Sequence, residues 1–140
     1  MTVVIDASVL VAAAHPDEPG SAASATCLVA VIARREPIVL PWLAWVETVS
    51  AVVRKTGSVA LADEAGQQLR NLPARWVSLD ETMAAAAVAV AASCRLRAAD
   101  SVYVALAGKM DATLLTLDRE MKQRCQAWCL CQSPEDWLAT

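Results

Sequence analysis

The sequence predicts a single α/β domain in three layers, α/β/α, around a central parallel sheet of four to five strands. Two observations carry this. Short apolar, β-branched runs alternate with longer helical stretches along the whole chain, the pattern of a parallel sheet covered on both faces. The composition agrees, with 56% hydrophobic residues, 19% charged, and 29 alanines, the strongest helix former and small enough for close helix packing. For 140 residues and 14.8 kDa, area scaling leaves roughly 7,000 Å² exposed out of roughly 21,000 Å² in the extended chain, so a core closes without staples. Residues 1–140 form one domain on this reading.

Thr2 to Ile5 is β-branched and apolar, reads as a buried first strand, and ends at Asp6. Ala7 to Ala14 is helical until the breaker cluster His15-Pro16-Asp17-Glu18-Pro19-Gly20. Ser21 caps a second helix to about Arg35, and Ile38 to Leu40 is strand two. Pro41 suits the first turn of a helix over Trp42 to Lys55, which Gly57 stops. Ser58 caps the next helix, to about Leu72, ahead of Pro73. Arg75 to Leu79 reads as strand three, and Asp80 caps the alanine-rich helix after it. A helix over Ala98 to Ala107 is expected to stop at Gly108. Thr113 to Thr116 is strand four, Asp118 to Arg124 a short helix, Ala127 to Cys131 strand five, and Ser133 to Asp136 starts a last helical turn.

Several function classes drop out. The longest uninterrupted apolar run, Met83 to Ala92, is about half of what a membrane span needs. The amino terminus has no basic region, and Asp6 breaks its apolar stretch, so no signal peptide and a cytoplasmic location are expected. Five cysteines without a C-x-x-C pair argue against a disulfide framework or a zinc ribbon, and Cys129 and Cys131 are expected on one face of strand five. One histidine, His15, cannot build a multi-histidine metal site. A net charge of −3 does not advertise a nucleic-acid binder.

Four acids stand out. Asp6 follows the apolar Val-Val-Ile of strand one, Asp118 follows strand four, and Asp100 opens a nearly all-apolar helix with only Arg97 as a local partner. Glu47 has Leu43, Ala44, Ser50 and Ala51 three and four residues away, so no helical ion pair satisfies it. Each has an ordinary alternative: Asp6 and Asp100 as helix caps, Asp118 as a surface partner of Lys122. In a parallel sheet, however, strand ends and helix starts line one edge, where sites form. Two like charges 4 Å apart repel by about 4 kcal/mol at an effective dielectric of 20. Such a cluster must therefore take up protons or bind cations, and an all-oxygen set suits magnesium or manganese.

Val4-Ile5-Asp6-Ala7-Ser8, Trp45-Val46-Glu47, Ala98-Ala99-Asp100-Ser101 and Leu114-Leu115-Thr116-Leu117-Asp118-Arg119-Glu120-Met121 occur in the order and spacing of the PIN-domain ribonucleases, which the chain resembles over nearly its whole length. In length and layout it is most similar to the VapC-type toxins of toxin–antitoxin pairs. The resemblance implies a magnesium- or manganese-dependent endoribonuclease in which Asp6, Glu47, Asp100 and Asp118 are the catalytic, metal-binding set. It also implies that Ser8 and Thr116 support them, that Glu120 sits where a further acid often occurs, and that a homodimer and an antitoxin are partners. Met121 stands for a usual phenylalanine and Glu120 for an aspartate. Arg97, Arg119, Lys122 and Arg124 are the candidate RNA-backbone contacts, with Arg34, Arg35, Arg54 and Lys55 farther off. Tyr103 is expected in the core or stacked on a base, and Trp42 with Trp45 at a dimer or antitoxin contact.

Two other classes also place acids at strand ends. A receiver or haloacid-dehalogenase-like phosphatase is disfavoured by Ser8, where such a phosphatase has a second aspartate, and by Ala7, where a receiver has an acidic pair. A non-catalytic module whose acidic cleft holds a basic peptide is the other alternative.

Overall fold

The computed structural model describes all residues from Met1 to Thr140. Five parallel strands, β1 (Val3–Ile5), β2 (Ile38–Pro41), β3 (Ala74–Val77), β4 (Thr113–Leu115) and β5 (Cys131–Gln132), lie in the order β3-β2-β1-β4-β5. Eight helices connect them: α1 (Ala7–Ala14), α2 (Ser21–Ala33), α3 (Leu43–Thr56), α4 (Val59–Arg70), α5 (Glu81–Cys94), α6 (Ala98–Lys109), α7 (Arg119–Arg124) and α8 (Pro134–Leu138). The three-layer α/β/α expectation holds, with five strands.

The chain moves outward from β1 to β2 to β3, then crosses back to β4 on the other side of β1. Because crossovers between parallel strands are right-handed, the helices of the first two connections share one face and α5 with α6 cover the other. The packing follows: α1 lies against α2 and α3, α3 against α4, and α5 against α6, which itself lies over β1, β2 and β4. In α6 every residue from Ser101 to Ala107 is buried, since α5 covers the side turned away from the sheet. Val3, Val4, Ile5, Leu114 and Leu115 are fully enclosed, and the total exposed surface is 7479 Å², close to the area expected from mass. No single helix is long and apolar enough to cross a membrane.

Several local signals act as expected. Ser58 Oγ accepts from Leu61 N at 3.1 Å, Asp80 Oδ1 from Met83 N at 2.8 Å, and Ser133 Oγ from Asp136 N at 3.1 Å. Other expectations are corrected. Pro41 ends β2 instead of opening α3, and Trp42 N donates to Val77 O of the neighbouring strand, so the helix starts one residue late. α2 stops at Ala33 because Arg35 turns left-handed at φ 55°. β3 runs from Ala74 to Val77 rather than to Leu79. Gly108 lies inside α6, and the helix ends one residue later, at Lys109. A Cβ at Gly108 would stand 3.2 Å from Trp128 O, so glycine here permits a close approach instead of a stop. The fifth strand is only Cys131–Gln132, and Ala127 to Cys129, apolar enough to suggest a strand, are turn and bend. Cys129 and Cys131 are therefore not neighbours on one strand face.

Candidate functional site

The strand order switches between β1 and β4, and a cleft must open there at their carboxyl ends because the connections leave toward opposite faces of the sheet. Asp6 and Thr116 are the first residues beyond those two strands. Asp6 N donates to Leu115 O at 2.9 Å, which fastens the two strand ends together.

The Asp6 carboxylate is 5% exposed, and its side chain does not cap α1; that role falls to its backbone carbonyl, which accepts from Val9 N and Leu10 N. Two hydroxyls turn toward Asp6 Oδ2 instead: Ser8 Oγ donates at 2.6 Å and Thr116 Oγ1 at 2.9 Å. Each hydroxyl is itself fixed by a backbone amide. Ser8 Oγ accepts from Leu117 N at 3.0 Å and Thr116 Oγ1 from Asp118 N at 3.0 Å. The strand ends, the two hydroxyls and the 116–118 segment thus form one closed hydrogen-bond network around a single carboxylate. Burial pushes the Asp6 pKa up, and the Ser8 and Thr116 hydrogen bonds pull it partly back.

Glu47 comes from α3 and Asp100 from the first turn of α6. Burial raises the pKa of both. The charges of Asp6 and Asp100 raise Glu47 further, and those of Asp6 and Asp118 raise Asp100, while Arg97 opposes both shifts. Glu47 and Asp100 thus each feel other acids of the expected set. Arg97 is a weak counterweight: it reaches Asp100 at 3.8 Å with a side chain that is 90% exposed. Glu47 Oε1 is buried without any hydrogen-bond partner. The fully enclosed Tyr103 hydroxyl lies close to Glu47 without a well-formed hydrogen bond, and burial beside the Glu47 and Asp6 charges pushes its pKa far up. Sequence reasoning left Tyr103 to the core or to base stacking and missed this neighbour. The available signal was spacing, since Tyr103 lies three residues after Asp100 on one helix face.

Asp118 Oδ1 accepts from Glu120 N at 2.9 Å and Met121 N at 3.1 Å, so this carboxylate does cap its helix. It has no ion pair with Lys122, which binds Asp136 instead. Glu120 is drawn outward, 73% exposed with Oε1 at 3.6 Å from Arg124, and is not brought to the other four acids. Among the candidate RNA contacts, Arg97, Lys122 and Arg124 thus already face acids, and Arg124 also donates to Arg95 O, whereas Arg119 has no ion pair. Of the more distant cations, Arg34 lies over Trp137, and Lys55 pairs with Glu18 at 2.6 Å. Arg54 has no acid partner and lines a cleft of about 490 Å³ together with Ser8, Glu47 and Ser50.

A second groove, of about 860 Å³, runs between α3 and α4 past Trp45, Val46, Val49 and Val53 and shares Val46 and Ser50 with the first. At its end Trp42 stacks on Trp76 at 5.0 Å, and the Arg70 guanidinium stands 4.9, 4.6 and 5.5 Å from the rings of Trp42, Trp45 and Trp76.

The donor chemistry fits a hard divalent cation: oxygens only, one of them buried and unpartnered, in a cluster whose own repulsion favours an added positive charge. No three of the acids surround a common point.

A family model described as PIN domain matches residues 3–126. None of the proteins of curated function matches the chain by sequence. Among solved structures, the fold is similar to VapBC2 from Rickettsia felis, bound to a DNA fragment from its promoter, with TM-score 0.73 at 12% identity over 95% of this chain and 98% of that one. It is also similar to VapC20 from Mycobacterium tuberculosis, a sarcin-ricin loop cleaving toxin, with TM-score 0.72 at 13% identity over 86% and 93% of the two chains. FitAcB from Neisseria gonorrhoeae gives TM-score 0.72 at 16% identity over 95% and 98%. At these identities the likeness speaks for the fold.

Proposed function

The chain belongs to the PIN domain family, and from that premise we propose that it is an endoribonuclease, the toxin of a toxin–antitoxin pair, with Asp6, Glu47, Asp100 and Asp118 as its catalytic acids. The observation that carries this reading is the buried cluster itself. Glu47 and Asp100, both raised by burial and by the charges of neighbouring acids, and Glu47 Oε1, left unpartnered, are a cost to folding that a cation-dependent site explains and a structural role does not. The family match also speaks against the receiver and phosphatase alternatives.

Magnesium or manganese, bound by these acids, would supply charge neutralisation and activation of water for hydrolysis of an RNA phosphodiester. The chain's own residues provide the rest. Ser8 and Thr116 fix the Asp6 carboxylate through Oδ2, so its orientation is set before any ligand arrives. The Thr116 hydroxyl also holds Asp118 N and thereby ties the position of one acid to that of another. Tyr103 fills the floor beside Glu47 and keeps bulk water from beneath the cluster. Arg54 in the adjoining cleft and Arg119 at the start of α7 are the cations left to meet the RNA backbone.

The toxin assignment is supported by likeness to VapBC2 and FitAcB and by the apolar groove between α3 and α4, which joins the acidic cleft and suits an antitoxin segment threading from one into the other. Exposed Val29 and Ile32 on α2 are the apolar surface this reading assigns to a homodimer, and a cytoplasmic location goes with it. The test is cleavage of RNA by the purified protein with magnesium or manganese. It should be lost with a chelator and in Asp6→Asn or Asp100→Asn variants that keep the native circular dichroism spectrum. Cleavage indifferent to the chelator or to both substitutions would refute the proposal.

A further inference from the structure

Four of the five cysteines meet at the β5 edge of the sheet although they come from three separate places: Cys94 ends α5, Cys125 follows α7, and Cys129 and Cys131 flank the entry to β5. Cys27 lies apart in α2. No three of the thiols surround a common point, so this is not a metal centre of the zinc type. Within the group one pair is already in contact, with Cys129 Sγ 3.6 Å from Cys131 Sγ and both cysteines reduced.

The geometry points to Cys129 and Cys131 as a redox-active dithiol that closes to an intrachain disulfide when a peroxide is supplied. Three features beyond proximity favour it. Cys129 is partly exposed and reachable, whereas Cys131 is 7% exposed, so the pair is divided into an attacking and a resolving sulfur. The hydrogen bond from Cys131 holds the Cys129 thiol below its ordinary value, while that bond and burial push Cys131 up, with Lys122 opposing. Burial pushes Cys125, the next thiol in the group, up to about 12, which leaves it inert at neutral pH. The backbone at Cys129 is a bend and not extended strand, which is how two cysteines one residue apart come to face each other.

The step balances. The Cys129 thiolate attacks one oxygen of hydrogen peroxide, the O–O bond breaks, and water leaves after taking up a proton. Cys131 then attacks the sulfenic sulfur, forming the S–S bond and releasing the second oxygen as water. Two thiols lose two electrons and one peroxide becomes two waters. The bond must draw the sulfurs from 3.6 Å to about 2.05 Å within a small ring, which makes it one of the labile, easily reduced disulfides. That ring contains Leu130, whose carbonyl accepts from Leu114 N at 2.8 Å and helps pair β5 with β4. Closure therefore loosens the sheet edge beside the strand that leads to Thr116 and Asp118. The inference stands independently of the nuclease reading.

The test is a brief exposure of the purified full chain to hydrogen peroxide, alkylation of the remaining thiols, and tandem mass spectrometry with and without dithiothreitol. The expected result is loss of two hydrogens localised between Cys129 and Cys131, with Cys94 and Cys125 alkylated, full reversal by dithiothreitol, and faster hydrogen exchange at the Leu114 amide. C125S should still form the bond, and C129S should not. A disulfide involving Cys94 or Cys125, a bond between two chains, over-oxidation of Cys129 without a disulfide, or no reaction at Cys129 would each overturn the inference. The mapping is done on the unsubstituted chain, so it is decided even where a variant fails to fold.

Discussion

At the carboxyl edge of β1 and β4, acids from four elements lie within electrostatic reach of a neighbouring acid, with two hydroxyls and one weak arginine as their polar company. On the shoulder where α3 meets α4, one cation, Arg70, lies over three indole rings. Both regions hold charge at the rim of an apolar core, and they do so in opposite ways. The shoulder is internally matched and contributes to stability. The edge is mismatched and costs stability until something positive arrives. A domain that carries both shows that the mismatch is not for want of a solution, and this is why the edge reads as the site and the shoulder as support.

Relieving the mismatch should have the largest effect. Asp100→Asn is expected to reduce RNA cleavage by about 10²-fold or more, the range for removing one charge-stabilising group from a site. In the absence of divalent ions the same change should raise the melting temperature by about 2–4 °C, as roughly 1 kcal/mol of relieved repulsion does in a chain of this size. A parallel fall in activity and in stability would place Asp100 among structural residues. Next in size, magnesium or manganese at about 100 times its dissociation constant should stabilise the protein by about 2.7 kcal/mol, read by calorimetry, and the gain should vanish in Asp6→Asn.

The shoulder should respond in the opposite sense, since any change there loses a match. Gly66→Ala would bring a Cβ to 2.8 Å from Val49 Cγ2 and 3.0 Å from Trp45 Nε1, and overpacking of this kind costs about 1–3 kcal/mol in urea denaturation. Arg70→Ala loses stacking on three rings at an exposed position and should cost about 1 kcal/mol.

The smallest effect is in pH. Folding raises the Glu47 and Asp100 pKa above their ordinary 4.5 and 3.8, so in the interval above those values the folded protein holds more protons than the unfolded chain. Stability without metal must then fall as pH rises through that interval toward neutrality, the reverse of an ion-paired carboxylate. Melting temperatures at pH 5.5 and 7.5 should differ in that direction, and a divalent ion should flatten the difference. A protein that loses stability on going from pH 7.5 to 5.5 would contradict the assignment.

Much of this was legible in the residues because apolar runs punctuated by a single acid are rare. Asp6 after Val-Val-Ile and Glu47 amid Leu43, Ala44 and Ala51 could be singled out without coordinates. What local pattern could not supply was partnership at long range. That Lys122 turns to Asp136 and not to Asp118 depends on the β4–β5 pairing, and that Ser8 receives the amide of Leu117 depends on the β1–β4 pairing. Gly108 was misread for the same reason, because the carbonyl that demands glycine there belongs to Trp128. The fifth strand is shorter than expected since Ala127 to Cys129 form an apolar but largely exposed turn, and apolarity alone does not separate a turn from a strand.

The hydrogen bond from Thr116 to Asp6 spans 110 residues of sequence, and it has a consequence in time. Synthesis proceeds at about 5–20 residues per second, so roughly 5–22 s pass between the making of Asp6 and the making of its partner. During that interval β1, the central strand, has its β2 neighbour but no β4, and the edge where the acids will meet does not exist. In a growing chain the network around Asp6 therefore stays incomplete until the Thr116–Asp118 segment has emerged, whatever else is already folded. The order of strands in the sheet works as a timer that completes the acid edge late in synthesis.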